Sequence, residues 1–180
     1  MADAENAGSG LKHGIFLLLE KLLRWSVAPR LRARLLALFG ARIGRNVRVY
    51  EIQLFNLQAG FSNLRLADDV HVGPGCRLDL KATLTIDART TLSPGVTVLT
   101  HSDPGSAHGS KLLARYPARL GPVRIGSDCW IGANATLLGG VTLGDQVVVA
   151  AGSVVTRDLP GGSVAAGVPA QIKKTSAPDG

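Results

Sequence analysis

The chain has 180 residues, which points to one domain with room for a sizeable core. Aromatic residues are 4% of it against 22 glycines, too few rings for an ordinary packed globule but enough for a narrow lumen filled by Val, Ile, Leu and Ala. The net charge of +7 sits almost wholly in residues 1–48, with nine Lys/Arg against three Asp/Glu; no basic stripe with interleaved aromatics crosses the remainder, so a nucleic-acid partner is not expected.

Residues 1–10 are small and polar and read as a flexible tail. Their start, Met1-Ala2-Asp3-Ala4-Glu5, is acidic where an export signal is basic, so the expectation is a cytoplasmic protein. Residues 11–40 read as two helices. Leu11, Ile15, Leu18, Leu19, Leu22, Leu23 and Trp25 recur at helical spacing, Pro29 interrupts, and a second stretch from Arg30 to Phe39 stops at Gly40. Glu20, Lys21 and Arg24 break the first stretch long before the ~20 apolar residues of a membrane span. Two roles suit these helices and are compatible. They cap the end of the domain that follows, or Lys12, Lys21, Arg24, Arg30, Arg32 and Arg34, beside leucine-rich faces, rest on an anionic membrane. The second role would station the protein at the inner face of the membrane.

Residues 41–160 carry a six-residue rhythm. Leu66, Val72, Leu78 and Leu84 form one series, and a two-residue slip starts another at Ile86, Leu92 and Val98. The rhythm stops for residues 102–122 and resumes as Ile125, Ile131, Leu137, Leu143, Val149 and Val155, with Gly following the aliphatic at 126, 132 and 144. Six is a period of neither a helix nor one long strand, so it marks an architectural repeat. A hexad can be one short strand plus one corner, and stacked three-hexad coils bury the aliphatics of each wall in a column. That architecture is an all-β parallel β-helix, with residues 102–122 as a long loop extruded from the solenoid. Cys76 and Cys129 occupy small-residue slots of the hexads and read as buried free thiols. Residues 161–180 leave the hexad phase as a C-terminal extension, with a tight turn at Val168-Pro169-Ala170 and the basic pair Lys173-Lys174.

The stretch CWIGANATLLGGVTLGDQVVVAAGSVVTRDLPGGSVAAGVPAQIKK, from Cys129 to Lys174, resembles the hexapeptide-repeat acyltransferases, and among them the maltose, galactoside and exopolysaccharide O-acetyltransferases. The resemblance covers about residues 43–174. It implies that the β-helix is left-handed, that the protein is a homotrimer with active sites between subunits, and that acetyl-CoA donates an acetyl group to a saccharide hydroxyl without a metal. With the basic N-terminus, it makes a surface-polysaccharide or lipid-linked sugar precursor the expected acceptor.

The resemblance also assigns roles. His101, in Val98-Leu99-Thr100-His101-Ser102-Asp103, matches the catalytic base, a role that suits imidazole because a sugar hydroxyl is too weakly acidic to attack a thioester unaided. Ala133 matches the backbone N–H donor to the oxyanion, and Trp130 the tryptophan beside the thioester. Ala151 matches a pantetheine contact, Thr156 and Arg157 a nucleotide-contacting Thr-Lys pair, and Lys174 a phosphate contact; Gln171 stands where an arginine is common. Asp79 falls near the family's acceptor-binding carboxylate. Asp103 is expected near the imidazole or the acceptor, although turn chemistry in Ser102-Asp103-Pro104-Gly105 also explains it. The spacing of His71, His101 and His108 does not match the three-histidine zinc site of γ-class carbonic anhydrases on the same fold. Transfer to an amine, as in an amino sugar, and a nonenzymatic scaffold remain alternatives.

Overall fold

The computed structural model describes residues 2–26 and 28–175; the polar end of the C-terminal extension, from residue 176 onward, lies outside the described residues. Short strands stack in register as three parallel walls of a β-solenoid. The first wall holds Arg42–Ile43, Leu64–Leu66, Leu84–Ile86, Val123–Ile125 and Thr142–Leu143. The second holds Arg48–Val49, His71–Val72, Thr91–Leu92, Trp130–Ile131, Val148–Val149 and Ser163–Ala166, and the third Gln53–Phe55, Arg77–Asp79, Thr97–Val98, Thr136–Leu137 and Val154–Val155. Each hexad supplies one aliphatic to the lumen: Val72, Leu78, Ile86, Leu92, Val98, Ile125, Ile131 and Leu137 are all fully buried. After the loop the coils repeat every three hexads, so that Arg124 pairs with Thr142 and Trp130 with Val148. The corners need glycine where coils approach: a Cβ on Gly132 would come within 2.5 Å of the backbone nitrogen of Ala151.

The two-residue slip has a simple cause. Leu84 and Ile86 lie on one three-residue strand, both point inward, and both are buried. The extra residues therefore widen the corner between the third and first walls, at residues 80–83. The same corner is enlarged in the preceding coil, which makes a 3-10 turn at Leu57–Ala59. In the following coil residues 102–122 leave the solenoid there, with a base of their own: His101–Ser102 pairs antiparallel with Arg119–Leu120. Every major irregularity of the repeat is stacked on this one corner.

Helices α1 (Ala2–Arg24) and α2 (Pro29–Leu38) lie over the first coil. Helix α1 begins at Ala2, within the 1–10 stretch that the sequence reads as a flexible tail: Ala2, Ala4, Glu5 and Ala7 are good helix formers, no proline intervenes, and Gly8 and Gly10 weaken the helix without ending it. Its inner face packs Phe16 edge-on against Phe61, ring centroids 5.3 Å apart, and buries Leu23. Glu20, also buried, accepts from the backbone N–H of Leu54 at 3.1 Å and forms two bonds with Arg24 at 2.8 and 2.9 Å. A carboxylate thus satisfies a strand N–H of the terminal coil that would otherwise be orphaned. Buried Arg32 of α2 donates to the carbonyls of Leu23, Arg24 and Ser26 at the C-terminal end of α1, and to Val49 of the solenoid, placing a cation where the helix dipole favours one. At the other end Gln171–Thr175 folds back antiparallel on Ser163–Ala166. Both cysteines are buried and unpaired, and burial pushes the Cys76 thiol up to about 11.

Candidate active site

The widened corner builds a histidine–carboxylate pair. Asp79 ends its strand, is fully buried, and places Oδ2 2.5 Å from His101 Nδ1. The remaining capacity of the carboxylate is filled by Thr100 N–H at 2.9 Å on Oδ2, and by Asn56 Nδ2 at 2.8 Å and Lys81 N–H at 3.0 Å on Oδ1. Asn56 makes its bond from a left-handed backbone conformation, φ 59° and ψ 52°, that asparagine tolerates better than most residues. Thr100 ties the corner together, its hydroxyl donating to the Asp79 carbonyl at 3.1 Å and accepting from Ala82 N–H at 3.0 Å. Burial alone would raise the Asp79 carboxyl, but the bonds donated by Asn56, His101, Thr100 and Lys81 outweigh it and hold the group below its ordinary value. An ionised carboxylate only accepts, so Nδ1 carries an imidazole hydrogen, and the tautomer of the neutral ring is the one whose lone pair is on Nε2.

His101 is about a quarter exposed and lines two cavities. One, of about 380 Å³, runs between Leu99, Leu120 and Leu138 over the glycines 121, 139 and 140. The other, of about 200 Å³, opens toward Lys81 and Arg119.

The surroundings of two carboxylates singled out in the sequence are now visible. Asp79 is expected to bind the acceptor; in the structure its oxygens are engaged by four donors inside the protein, the His101 ring among them. Asp103 does not reach the ring. Its carboxylate accepts from Gly105 N–H at 2.8 Å, from Ser106 N–H at 2.7 Å and from the Ser106 hydroxyl, and these bonds, the Ser106 hydroxyl foremost, hold it down at about 2. It is a turn residue. Asn56 was missed because it lies where the hexad register is lost, and only its left-handed conformation marks it.

Ala133 lies on a different edge, the corner between the second and third walls. There four successive coils make a turn with the pattern of type II, and the second position of that turn is Pro74, Pro94, Ala133 and Ala151, each followed by a residue with positive φ: Gly75, Gly95, Asn134 and Gly152. The stacking is direct, since Gly95 N–H donates to the Pro74 carbonyl, Asn134 N–H to Pro94 and Gly152 N–H to Ala133. Two prolines in the column show that the fold needs no N–H at this slot. At Ala133 and Ala151 the N–H is present and donates to no acceptor among the described residues, so two backbone donors stand one coil apart on this edge. Trp130 lies on the outer face of the second wall, 57% exposed, with Nε1 donating to Ser93 Oγ at 2.9 Å.

Thr156, Arg157 and Lys174 are exposed on the last coil and the strand folded back on it. Gln171 accepts from an Arg157 guanidinium nitrogen at 2.8 Å and so orients the cation. Neither cavity beside His101 is lined by Trp130, Ala133, Ala151, Thr156, Arg157 or Lys174. One chain thus presents His101 on one edge and the free N–H groups of Ala133 and Ala151 on another.

A family model described as the hexapeptide repeat of succinyl-transferase matches residues 122–157. An Escherichia coli K12 protein named for colanic acid biosynthesis, the acetyltransferase WcaF, is 34% identical over 154 residues, covering 84% of this chain and 79% of its own length. The galactoside O-acetyltransferase of Escherichia coli K12 is 35% identical over 117 residues, 65% of this chain; the match spans 50% of that enzyme's length. A solved galactoside acetyltransferase in complex with coenzyme A superposes with a TM-score of 0.73 at 26% identity, covering 93% of this chain and 82% of that one.

Proposed function

Because the chain belongs to the hexapeptide-repeat acetyltransferases, we propose that it transfers the acetyl group of acetyl-CoA to a saccharide hydroxyl. The observation that carries this reading is the buried Asp79–His101 pair, which leaves Nε2 basic at the mouth of two cavities. His101 Nε2 takes the hydroxyl proton as the sugar oxygen bonds to the thioester carbonyl carbon, and Asp79 stabilises the imidazolium that forms. The charge that develops on the carbonyl oxygen meets the N–H of Ala133. As the carbon–sulfur bond breaks, the imidazolium returns its proton to the departing thiolate, and no covalent enzyme intermediate is needed. Trp130 and the Ala151 N–H support the pantetheine arm, and Thr156, Arg157 and Lys174 the nucleotide phosphates.

The separation of His101 from Ala133 within one chain supports a homotrimer in which the His101 edge of one subunit faces the Ala133 edge of the next, a head-to-tail contact that closes as a ring. The direct test of the transferase reading is to incubate the protein with acetyl-CoA and a panel of saccharides. Thiol release should depend on the acceptor, and the acetyl group should be lost from the product in mild base. A base-stable product would establish the amine alternative, and absence of acetyl-CoA binding the scaffold.

Among the described residues no helix is long and apolar enough to cross a membrane, yet the outer face of α1 is apolar as well as its inner one. Ile15, Leu18, Leu22 and Trp25 form an exposed stripe, with Leu18 at 59% and Trp25 at 85%, beside exposed Lys12, Lys21, Arg30 and Arg34. A cationic helix with such a face suits the surface of an anionic bilayer, and a lipid-linked saccharide precursor would be reached there. Because α1 and α2 also cover the first coil, substitution tests this better than deletion. The wild type should float with phosphatidylglycerol liposomes, and Leu18→Glu with Trp25→Glu should abolish flotation. Equal flotation of the two proteins would remove the idea.

A further inference from the structure

The smaller cavity beside His101 carries information about the acceptor. Two cationic residues, Lys81 and Arg119, line it together with His101. Lys81 is anchored by its own N–H to Asp79, the carboxylate that positions His101. Arg119 stands opposite Ser102 in the antiparallel pair at the base of the loop, one residue from His101. Both residues line the cavity, and neither side chain has a carboxylate partner among the described residues. The cavity's one carboxylate outside the dyad, Asp103, is consumed by its own turn. The loop adds to the asymmetry: between Asp103 and Asp128 the sequence holds Lys111, Arg115, Arg119 and Arg124 and no acidic residue.

We propose that Lys81 and Arg119 form an anion subsite for the acceptor, and that the saccharide carries a carboxylate or a phosphate close to the hydroxyl that is acetylated. This rests on the transferase reading above. The donor's phosphates do not explain the pair, because the pantetheine arm separates them from the thioester, and the thioester must lie at His101 for transfer to occur. A guanidinium matches a carboxylate or phosphate edge in two-point geometry, and a lysine adds a point charge. Two unneutralised cations beside a concave site also raise the local concentration of an anionic substrate.

The test compares methyl β-glucuronide, glucose 1-phosphate and methyl β-glucoside for binding to the protein saturated with CoA. At least one anionic sugar should bind about tenfold or more tightly than the neutral one, as a charge-assisted contact allows, and that advantage should shrink as salt is raised. Which anion gains tells carboxylate from phosphate. The double variant Lys81→Gln, Arg119→Gln should bring the sugars to within about twofold of each other while acetyl-CoA affinity holds. If the glucoside binds as well as both anions, or if no anionic sugar binds, the subsite is not there. If the double variant loses acetyl-CoA instead, the cations serve the donor and the proposal falls. Failure of the wild type to bind acetyl-CoA at all would overturn the transferase reading, and with it the subsite.

Discussion

Ala133→Pro should fold as the wild type does and lose about 10²–10³-fold in turnover, the usual cost of removing one oxyanion donor. Proline is ordinarily a risky substitution because it removes an N–H and fixes φ. Here the two preceding coils already carry Pro74 and Pro94 in the same slot of the same turn, and the residue before Ala133 is Gly132, as Gly73 precedes Pro74. The variant therefore deletes one hydrogen-bond donor with little disturbance of the corner, and thermal stability should be unchanged or slightly raised. Ala133→Gly, which keeps the N–H, should retain most of the activity. If Ala133→Pro folds and turns over within about threefold of the wild type, this N–H does not stabilise the transition state.

The same variant tests the assembly. His101→Ala and Ala133→Pro should each be nearly inactive alone. If base and donor meet across a subunit contact, trimers mixed at random from equal amounts should recover about a quarter of wild-type activity, because that share of contacts joins an intact His101 to an intact Ala133. If both groups served from one chain, no site in the mixture would hold both, and activity would stay at the level of the single variants.

The periodic part of the sequence predicts the walls well because hexad position decides burial. Leu66, Val72, Leu78 and Leu84 face the lumen, as do Ile86, Leu92 and Val98 after the slip. The active corner is another matter. Asn56, Asp79 and Lys81 lie where the rhythm is lost or shifted, and periodicity says nothing about which polar groups a non-repeating corner brings together. The slip at residues 80–83 is what brings Lys81 N–H and Ala82 N–H to the Asp79–Thr100 network. Breaks in a regular solenoid are where strain and cost are accepted for function. His101 was legible because it begins the longest break. Its partner was not, because the Asp79–His101 bond joins residues a coil apart, and nothing in the local sequence separates an orienting carboxylate from an acceptor-binding one. Asp103 illustrates the converse: a nearby carboxylate in a good turn sequence serves the turn.

Asp79→Asn is the sharpest test of the pair, because an amide cannot occupy this site without conflict. All four surrounding groups donate to the carboxylate. An Asn NH2 facing Thr100 and His101 would force the imidazole hydrogen onto Nε2 and remove the base; turned the other way, it would face Asn56 Nδ2 and Lys81 N–H. Either orientation leaves a buried donor unpaired and an imidazolium without its counter-charge. Turnover should fall by about 10²–10⁴-fold, the range for loss of a positioned general base, with acetyl-CoA affinity little changed. Stability should fall with a particular pH dependence. The Asp79 carboxyl is held below its ordinary value in the folded state, so its contribution is complete above the unfolded value near pH 4 and is lost as pH falls through the lower folded value. The melting-temperature gap between wild type and Asp79→Asn should therefore narrow as pH falls below about 4. His101→Ala should lose on the order of a hundredfold or more in turnover, and adding Asp79→Asn to it should cost little further, since a positioning carboxylate has no role once the ring is gone. A double variant far worse than His101→Ala would give Asp79 a separate part in the chemistry. Full activity in His101→Ala, with loss in His108→Ala, would move the base to the loop.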